Sequence, residues 1–252
     1  MKILIICFVG FFSSNIFAET FTAHCRNYPP ELFFENGECK GAIPEMMTDI
    51  FTELGHQINW ENVPWIRSMK EAESGRVDLL IRHSMTEARQ VFLYPIAYGY
   101  NIRNLTFYKS PRLDVDITSY KELENYRVGA IRGVFYSLTF STIESRELTL
   151  VGRTQQLLGM LERDRIDVAV TSASHSIELF DEHFEKITLV DTFENPLYVS
   201  IPKKSKAAKL HADVAKLISE YGEMGKINQY FERYGLEGPK PLKKSEVLLQ
   251  HE

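Results

Sequence analysis

One pattern occurs twice in this chain and restricts its fold more than any other feature. Glu73-Ser-Gly-Arg-Val-Asp-Leu-Leu-Ile and Glu162-Arg-Asp-Arg-Ile-Asp-Val-Ala-Val begin 89 residues apart. Each copy carries the end of a helix, an Arg-(Val/Ile)-Asp step and then an almost uninterrupted apolar run. Runs of that kind, over residues 77–81 and 166–171, read as strands of a parallel sheet covered on both faces. The spacing is too long for a solenoid repeat and fits two α/β lobes of roughly 90 residues.

The intervening segments alternate in the same way. Residues 20–25 read as a strand. A helix over 43–54 places Ile43, Met46, Met47, Ile50, Phe51 and Leu54 on one face and stops at Gly55. A strand follows at 56–60, and Pro64 opens a second helix that ends near Gly75. Asn36-Gly37 is a turn signal. A strand at 127–131 leads through Gly133 into a further helix, and 155–162 is helical again. This alternation predicts an α/β protein with mainly parallel sheets flanked by helices.

The first 18 residues stand apart. Lys2 is the only charge before Glu19, residues 3–12 are apolar but for Gly10, and Ala18 ends the segment. This reads as a secretory signal peptide cleaved after Ala18. Ten apolar residues at 1.5 Å each cannot span about 30 Å of hydrocarbon. Cleavage leaves 234 residues and takes the net charge from −5 to −6, since only Lys2 is lost. Cys7 leaves with it, and Cys25 and Cys39 remain as an even pair in an oxidising compartment, where a disulfide is expected in preference to two buried thiols.

Several functions are disfavoured by the residues themselves. With 29 Lys plus Arg against 34 Asp plus Glu, no nucleic-acid surface is expected. The seven histidines lack metal-ligand spacing, and there is neither a Gly-x-Ser-x-Gly elbow nor a phosphate-binding loop. Ser174-His175-Ser176 reads as polar surface. Thus no metal, no cofactor and no catalytic residue is predicted.

Several segments nevertheless occur in a recognisable order. They are Asn27-Tyr-Pro-Pro, Gly41 opening the first helix, Val63-Pro-Trp-Ile-Arg67, Ser74-Gly-Arg-Val-Asp78, Thr86-Glu-Ala-Arg89, Tyr94-Pro-Ile, Val128-Gly-Ala-Ile-Arg-Gly133 and Arg165-Ile-Asp-Val-Ala-Val170. Behind a signal peptide, and over nearly all of residues 20–235, this order resembles the bacterial extracellular solute-binding proteins of family 3, which deliver polar amino acids to ABC transporters. The resemblance implies a two-lobed periplasmic-binding-protein fold of type II with two hinge crossings, near residues 100–101 and 192–195. Lobe one would be 19–101 plus 194–235, lobe two 102–193, and 236–252 a tail. It further implies a periplasmic monomer that closes on a small amino acid or organic acid and presents it to a membrane permease. A few members are dehydratases, and a sensor module for a membrane receptor is a further possibility on this scaffold.

The resemblance also assigns residues. Arg89 would grip a carboxylate through its bidentate guanidinium, with Ser84 adding a hydroxyl and the helix start adding N–H donors. The competing reading makes Ser84 and Glu87 a capping box and Arg89 a solvated helical side chain. Trp65 would stack on the solute, opposite Tyr28, unless it is a core tryptophan; Arg67 would face either the cleft or a salt bridge. Arg132, Gly133 and Phe135 would present backbone N–H groups from lobe two, and Ser172 would stand near the amine. Two departures from the family pattern matter. Phe135 stands where these binders commonly carry threonine, and Thr171-Ser172-Ala173-Ser174 has no carboxylate for an α-ammonium. With Arg82 and Arg132 also in the mapped cleft loops, an acidic solute fits the sequence.

Overall fold

The computed structural model describes residues 18–143, 147–172 and 177–242. The signal segment up to residue 17, Ser174-His175-Ser176 and residues 243–252 of the tail lie outside them. The chain runs β1 (Thr20–Cys25), β2 (Phe33–Glu35), β3 (Glu38–Lys40), α1 (Ala42–Glu53), β4 (Gln57–Asn62), α2 (Trp65–Ser74), β5 (Leu79–His83), α3 (Glu87–Gln90) and β6 (Leu93–Lys109). It continues through α4 (Tyr120–Leu123), β7 (Arg127–Ile131), α5 (Leu138–Ser141), β8 (Glu147–Val151), α6 (Thr154–Glu162), β9 (Val168–Ser172) and α7 (Ile177–Asp181). The last elements are β10 (Lys186–Pro202), a 3-10 turn (Lys206–Leu210), α8 (His211–Glu223) and α9 (Lys226–Glu232).

Eight strands form one sheet in the order β4-β1-β5-β10-β6-β9-β7-β8. Its two ends, β4-β1-β5 and β9-β7-β8, are parallel as expected. The middle is antiparallel, because β6 and β10 are 17-residue strands that traverse the sheet in opposite directions. They pair from Leu93 with Pro202 to Tyr108 with Lys186, with Asn101 opposite Asn195 between. Apolar packing divides there. One core, built on α1, α8 and α9, reaches along β6 to Tyr98, and the core beyond takes up β6 at Leu105 with Val128, Val168 and Leu189.

The doubled motif has the same structural task in both copies. Asp78 Oδ2 accepts the Thr22 N–H of β1 at 2.9 Å, and Asp167 Oδ2 accepts the Arg127 N–H of β7 at 2.8 Å. Each aspartate satisfies a backbone donor of the adjacent parallel strand and so helps to fix the register where the apolar run begins. The first run is displaced from its expected 77–81: β5 spans Leu79–His83, pairing with β1 at Leu79 and with Tyr198 of β10 at His83. Strand geometry therefore carries Arg82 and His83 to the end of the sheet.

The helix expected directly after Gly133 is not there. Residues 132–137 stay irregular, and α5 begins only at Leu138, with Ser137 accepting the Phe140 N–H at 2.9 Å as its cap. The Tyr136 hydroxyl takes the Ile131 N–H at 2.9 Å, and Arg103 Nη1 donates to the Phe135 carbonyl at 3.0 Å; together these hold the segment away from helical geometry. At the other end of the molecule Gly41 makes a close approach possible. A Cβ there would lie 2.4 Å from the Glu31 carbonyl, and the same carbonyl accepts the Ile43 N–H at the start of α1.

Cys25 and Cys39 are disulfide-bonded, with Cα atoms 6.0 Å apart, and tie the β2–β3 hairpin to the end of β1. Closing a loop of about 15 residues is worth roughly 3 kcal/mol in the chain-entropy model. Cys39→Ser is therefore expected to lower the melting temperature by about 6–12 °C in a chain of this size. Calorimetry of the variant checks this, and an unchanged transition would contradict it. Among the described residues, no helix is long and apolar enough to cross a membrane.

Candidate functional site: an arginine-lined cleft

Where β1, β5 and the start of α2 approach the turn after β7, a cavity of about 360 Å³ opens. Five arginines line it: Arg26, Arg82, Arg89, Arg103 and Arg132. Among the described residues, no aspartate or glutamate does. Of the residues singled out in the sequence, Tyr28, Trp65, Ser84, Arg89, Arg132, Gly133 and Phe135 are brought together here.

Arg89 spans the cleft. From α3 its Nη1 donates to the Ser84 carbonyl, and its Nη2 reaches the Gly133 carbonyl at 3.1 Å. The Trp65 Nε1–H donates to that same Gly133 oxygen at 3.3 Å. Two side chains from one end of the sheet therefore converge on one carbonyl from the other. The Arg89 guanidinium also stacks 5.2 Å from the Trp65 ring centroid, on the same half-buried indole that Arg26 covers at 4.6 Å. Burial holds the Arg89 pKa below its ordinary value.

Arg82 anchors the neighbouring wall. Its guanidinium makes a bidentate pair with Glu31 at 2.8 and 3.0 Å and stacks 3.8 Å from the Tyr28 ring centroid. Burial disfavours its charge, but the bonded Glu31 carboxylate prevails and raises the Arg82 pKa. The residue also has a left-handed φ of 52°, a conformation costing about 1–2 kcal/mol outside glycine, which these contacts hold in place. Among the described residues Arg26 has no carboxylate partner of this kind: it donates to the Ile81 carbonyl at 3.2 Å and to the Arg82 carbonyl. Burial, followed by the adjacent Arg82 charge, pushes its pKa down to about 10.

His83 is 3% exposed, and its two nitrogens face the Ser84 carbonyl and the Ser200 hydroxyl, each at 3.0 Å. That arrangement suits a neutral ring donating from Nδ1 and accepting at Nε2. Burial, joined by the charges of Arg89, Arg26 and Arg82, drives its pKa down to about 3. The unfolded chain takes up a proton at this histidine below about pH 6.5, while the folded chain does not. Stability supplied by the neutral ring is thus complete above pH 6.5 and declines towards pH 3, at up to about 1.4 kcal/mol per pH unit. His83→Gln is expected to flatten that slope in denaturant titrations between pH 6 and pH 4; an identical slope in the variant would contradict the assignment.

Other residues depart from the sequence expectation. Arg67 does not join the cleft: its side chain is 70% exposed and its Nε bonds Glu71 at 2.7 Å, one helical turn on. Two positions beyond Trp65, it lies on another face of α2. Ser172 does not line the cavity; it is fully buried and accepts from Arg103 Nη2 at 2.8 Å. Ser84 is not a helix cap, because Thr86 caps α3 and Ser84 Oγ instead donates to Asn195 Oδ1 at 2.7 Å. The expected N–H donors are partly spent: Arg132 N–H bonds the Val151 carbonyl, Val134 N–H the Ile131 carbonyl, and Arg89 N–H the Thr86 carbonyl and side chain. Gly133 offers its carbonyl to Arg89 and Trp65. Arg26, His83 and Arg103 were missed in the sequence because only strand register aims them inward. Among the described residues, no three His, Cys, Asp or Glu side chains group as metal ligands.

The fold is the α/β two-lobed type II architecture of periplasmic binding proteins. A model of the bacterial extracellular solute-binding proteins, family 3, matches residues 22–237, and the chain belongs to that family. Among curated proteins, none matches this sequence. Solved structures share the fold at low identity. A histidine kinase sensor domain with similarity to periplasmic binding proteins is 17% identical, with a TM-score of 0.66 over 88% of this chain and 98% of its own. An amino acid ABC transporter substrate-binding protein from Streptococcus pneumoniae, AbpA, bound to L-arginine, is 17% identical, with a TM-score of 0.63 over 86% and 94%. The ancestral amino acid-binding protein AncCDT-1, a precursor of cyclohexadienyl dehydratase, is 15% identical, with a TM-score of 0.63 over 86% and 95%.

Proposed function

We propose that this protein is a periplasmic solute-binding protein that captures a small carboxylate-bearing solute, an amino acid or a related acid, and presents it to the membrane permease of an ABC transporter. The observation that carries the reading is the half-buried Arg89 guanidinium, stacked on Trp65 and bridging to Gly133 across the cleft. A carboxylate accepts stronger, charge-assisted bonds than the Gly133 carbonyl does, so a solute acid group displaces that contact and recruits Arg89 in its place. Trp65 and Tyr28 supply aromatic faces. The lobes are 19–101 plus 194–235 and 102–193, and their closure on the solute is stabilised because each contributes part of the contact surface. The protein acts as a monomer, and micromolar affinity, about −8 kcal/mol, suffices for capture.

Capture without turnover is favoured by the state of the cleft. Its one histidine is neutral with both nitrogens engaged, and among the described residues no carboxylate lines the cavity to act as acid or base. Thermal-shift screening of amino acids and organic acids tests the reading: an acid at 100 times its dissociation constant adds about 2.7 kcal/mol of stability. Recovery of the bound acid unchanged after prolonged incubation is expected. Conversion to product would establish an enzyme instead.

A further inference from the structure

We infer that the solute is a small organic dianion without an ammonium group, with one acid group held by Arg89 and the second by Arg26 along the same Trp65 ring. The inference deepens the proposed function and rests on that reading of the cleft.

The charges of the cleft wall do not balance. Arg82 has Glu31 as its counterion, but the side-chain hydrogen bonds of Arg26, Arg89 and Arg132 among the described residues go to backbone carbonyls: Ile81 and Arg82, Ser84 and Gly133, and Leu150. A carbonyl satisfies a donor without neutralising the cation, and unneutralised charge is costly away from bulk water. A solute ammonium would therefore enter a field of like charge, and the carbonyls of Ser84, Gly133 and Arg82 already receive guanidinium donors. Among the described residues, no carboxylate lines the cavity to pair with an amine.

The second acid group has a defined place. Arg26 and Arg89 stack 4.6 and 5.2 Å from the centroid of one indole, so their separation is below the sum of those distances. Each side chain makes two hydrogen bonds among the described residues, although a guanidinium carries five donors in a fork suited to a bidentate acid group. Burial and the like charge of Arg82 both disfavour the Arg26 cation, and a second anion beside it relieves both costs. A monoacid would leave that cost in place. The cavity of about 360 Å³ limits the solute to a small molecule. Carboxylate and phosphate ester groups present the same bidentate oxygens, and the experiment separates them.

The test is calorimetric titration of the full secreted chain with matched sets: linear and aromatic dicarboxylates, phosphorylated hydroxy acids, the monoamide of each dicarboxylate, and its α-amino analogue, such as glutarate, its monoamide and glutamate. Dianions are expected to bind at least about tenfold more tightly than their monoamides and amino analogues. Arg26→Gln is expected to erase that margin while monoacids still bind, and whichever acid type binds best identifies the source of the oxygens. A monoamide or amino acid binding as tightly as its dianion overturns the inference. If such binding also disappears in Arg89→Ala, the proposed function stands and the dianion alone falls; if no acid of any kind binds, both fall. Should Arg26→Gln fail to fold, the comparison within the wild-type series decides.

Discussion

Replacing Glu31 by glutamine is expected to destabilise the folded protein by about 3–5 kcal/mol, the usual consequence of removing one partner from a buried ion pair. Arg82 and Glu31 are 9% and 16% exposed at their side chains, and the pair is bidentate. Glutamine keeps the volume but removes the charge, leaving Arg82 buried beside Arg26 with nothing to offset two cations. The same loop feeds the Glu31 carbonyl to the start of α1 across Gly41, so a local rearrangement that rescues the charge has to disturb a helix. Denaturant unfolding at pH 7 measures the effect. The double variant Glu31→Gln/Arg82→Met, which removes both charges, is expected to be more stable than Glu31→Gln alone. A loss below about 1 kcal/mol in the single variant would mean that the pair is effectively solvated.

The second large effect falls on binding. Arg89→Ala is expected to weaken acid binding at least about a hundredfold, and so to remove the roughly 2.7 kcal/mol of stabilisation that a saturating acid provides. Without ligand the variant is expected to melt close to the wild type, because the Arg89 side chain bonds only two backbone carbonyls in the described structure and lies on the four-residue α3. Loss of the ligand shift with the apo transition intact separates a binding role from a folding role. An undiminished shift in Arg89→Ala would place the acid group elsewhere.

What could be read from the sequence was set by local rules. The helix from Pro64 to Gly75, the pairing of Cys25 with Cys39 and the doubled Arg-(Val/Ile)-Asp strands follow from capping, compartment and apolar periodicity, and all occur. Trp65 and Arg89 could be placed because the motifs that hold them, Val63-Pro-Trp-Ile-Arg67 and Thr86-Glu-Ala-Arg89, carry the family resemblance. Arg26, His83 and Arg103 could not. Which way each points depends on the register of β1, β5 and β6, and a one-residue slip would reverse it. The extension of β5 to His83 goes with its pairing opposite Tyr198 of β10, a contact between distant segments of the chain. Arg67 shows the opposite limit: its motif left the cleft and a salt bridge equally open, and helical geometry pairs it with Glu71. The segment after Gly133 looked like a helix start until Tyr136 and Arg103 took up its backbone groups.

The most direct measurement is nitrogen-proton NMR of the arginine side chains during titration with whichever acid most stabilises the protein. Engagement of Arg89 predicts that its Nε–H signal moves and broadens less as the acid saturates the protein, while that of Arg67, out on the face of α2, stays where it was. A saturated complex in which the Arg89 signal has not changed would contradict the central assignment.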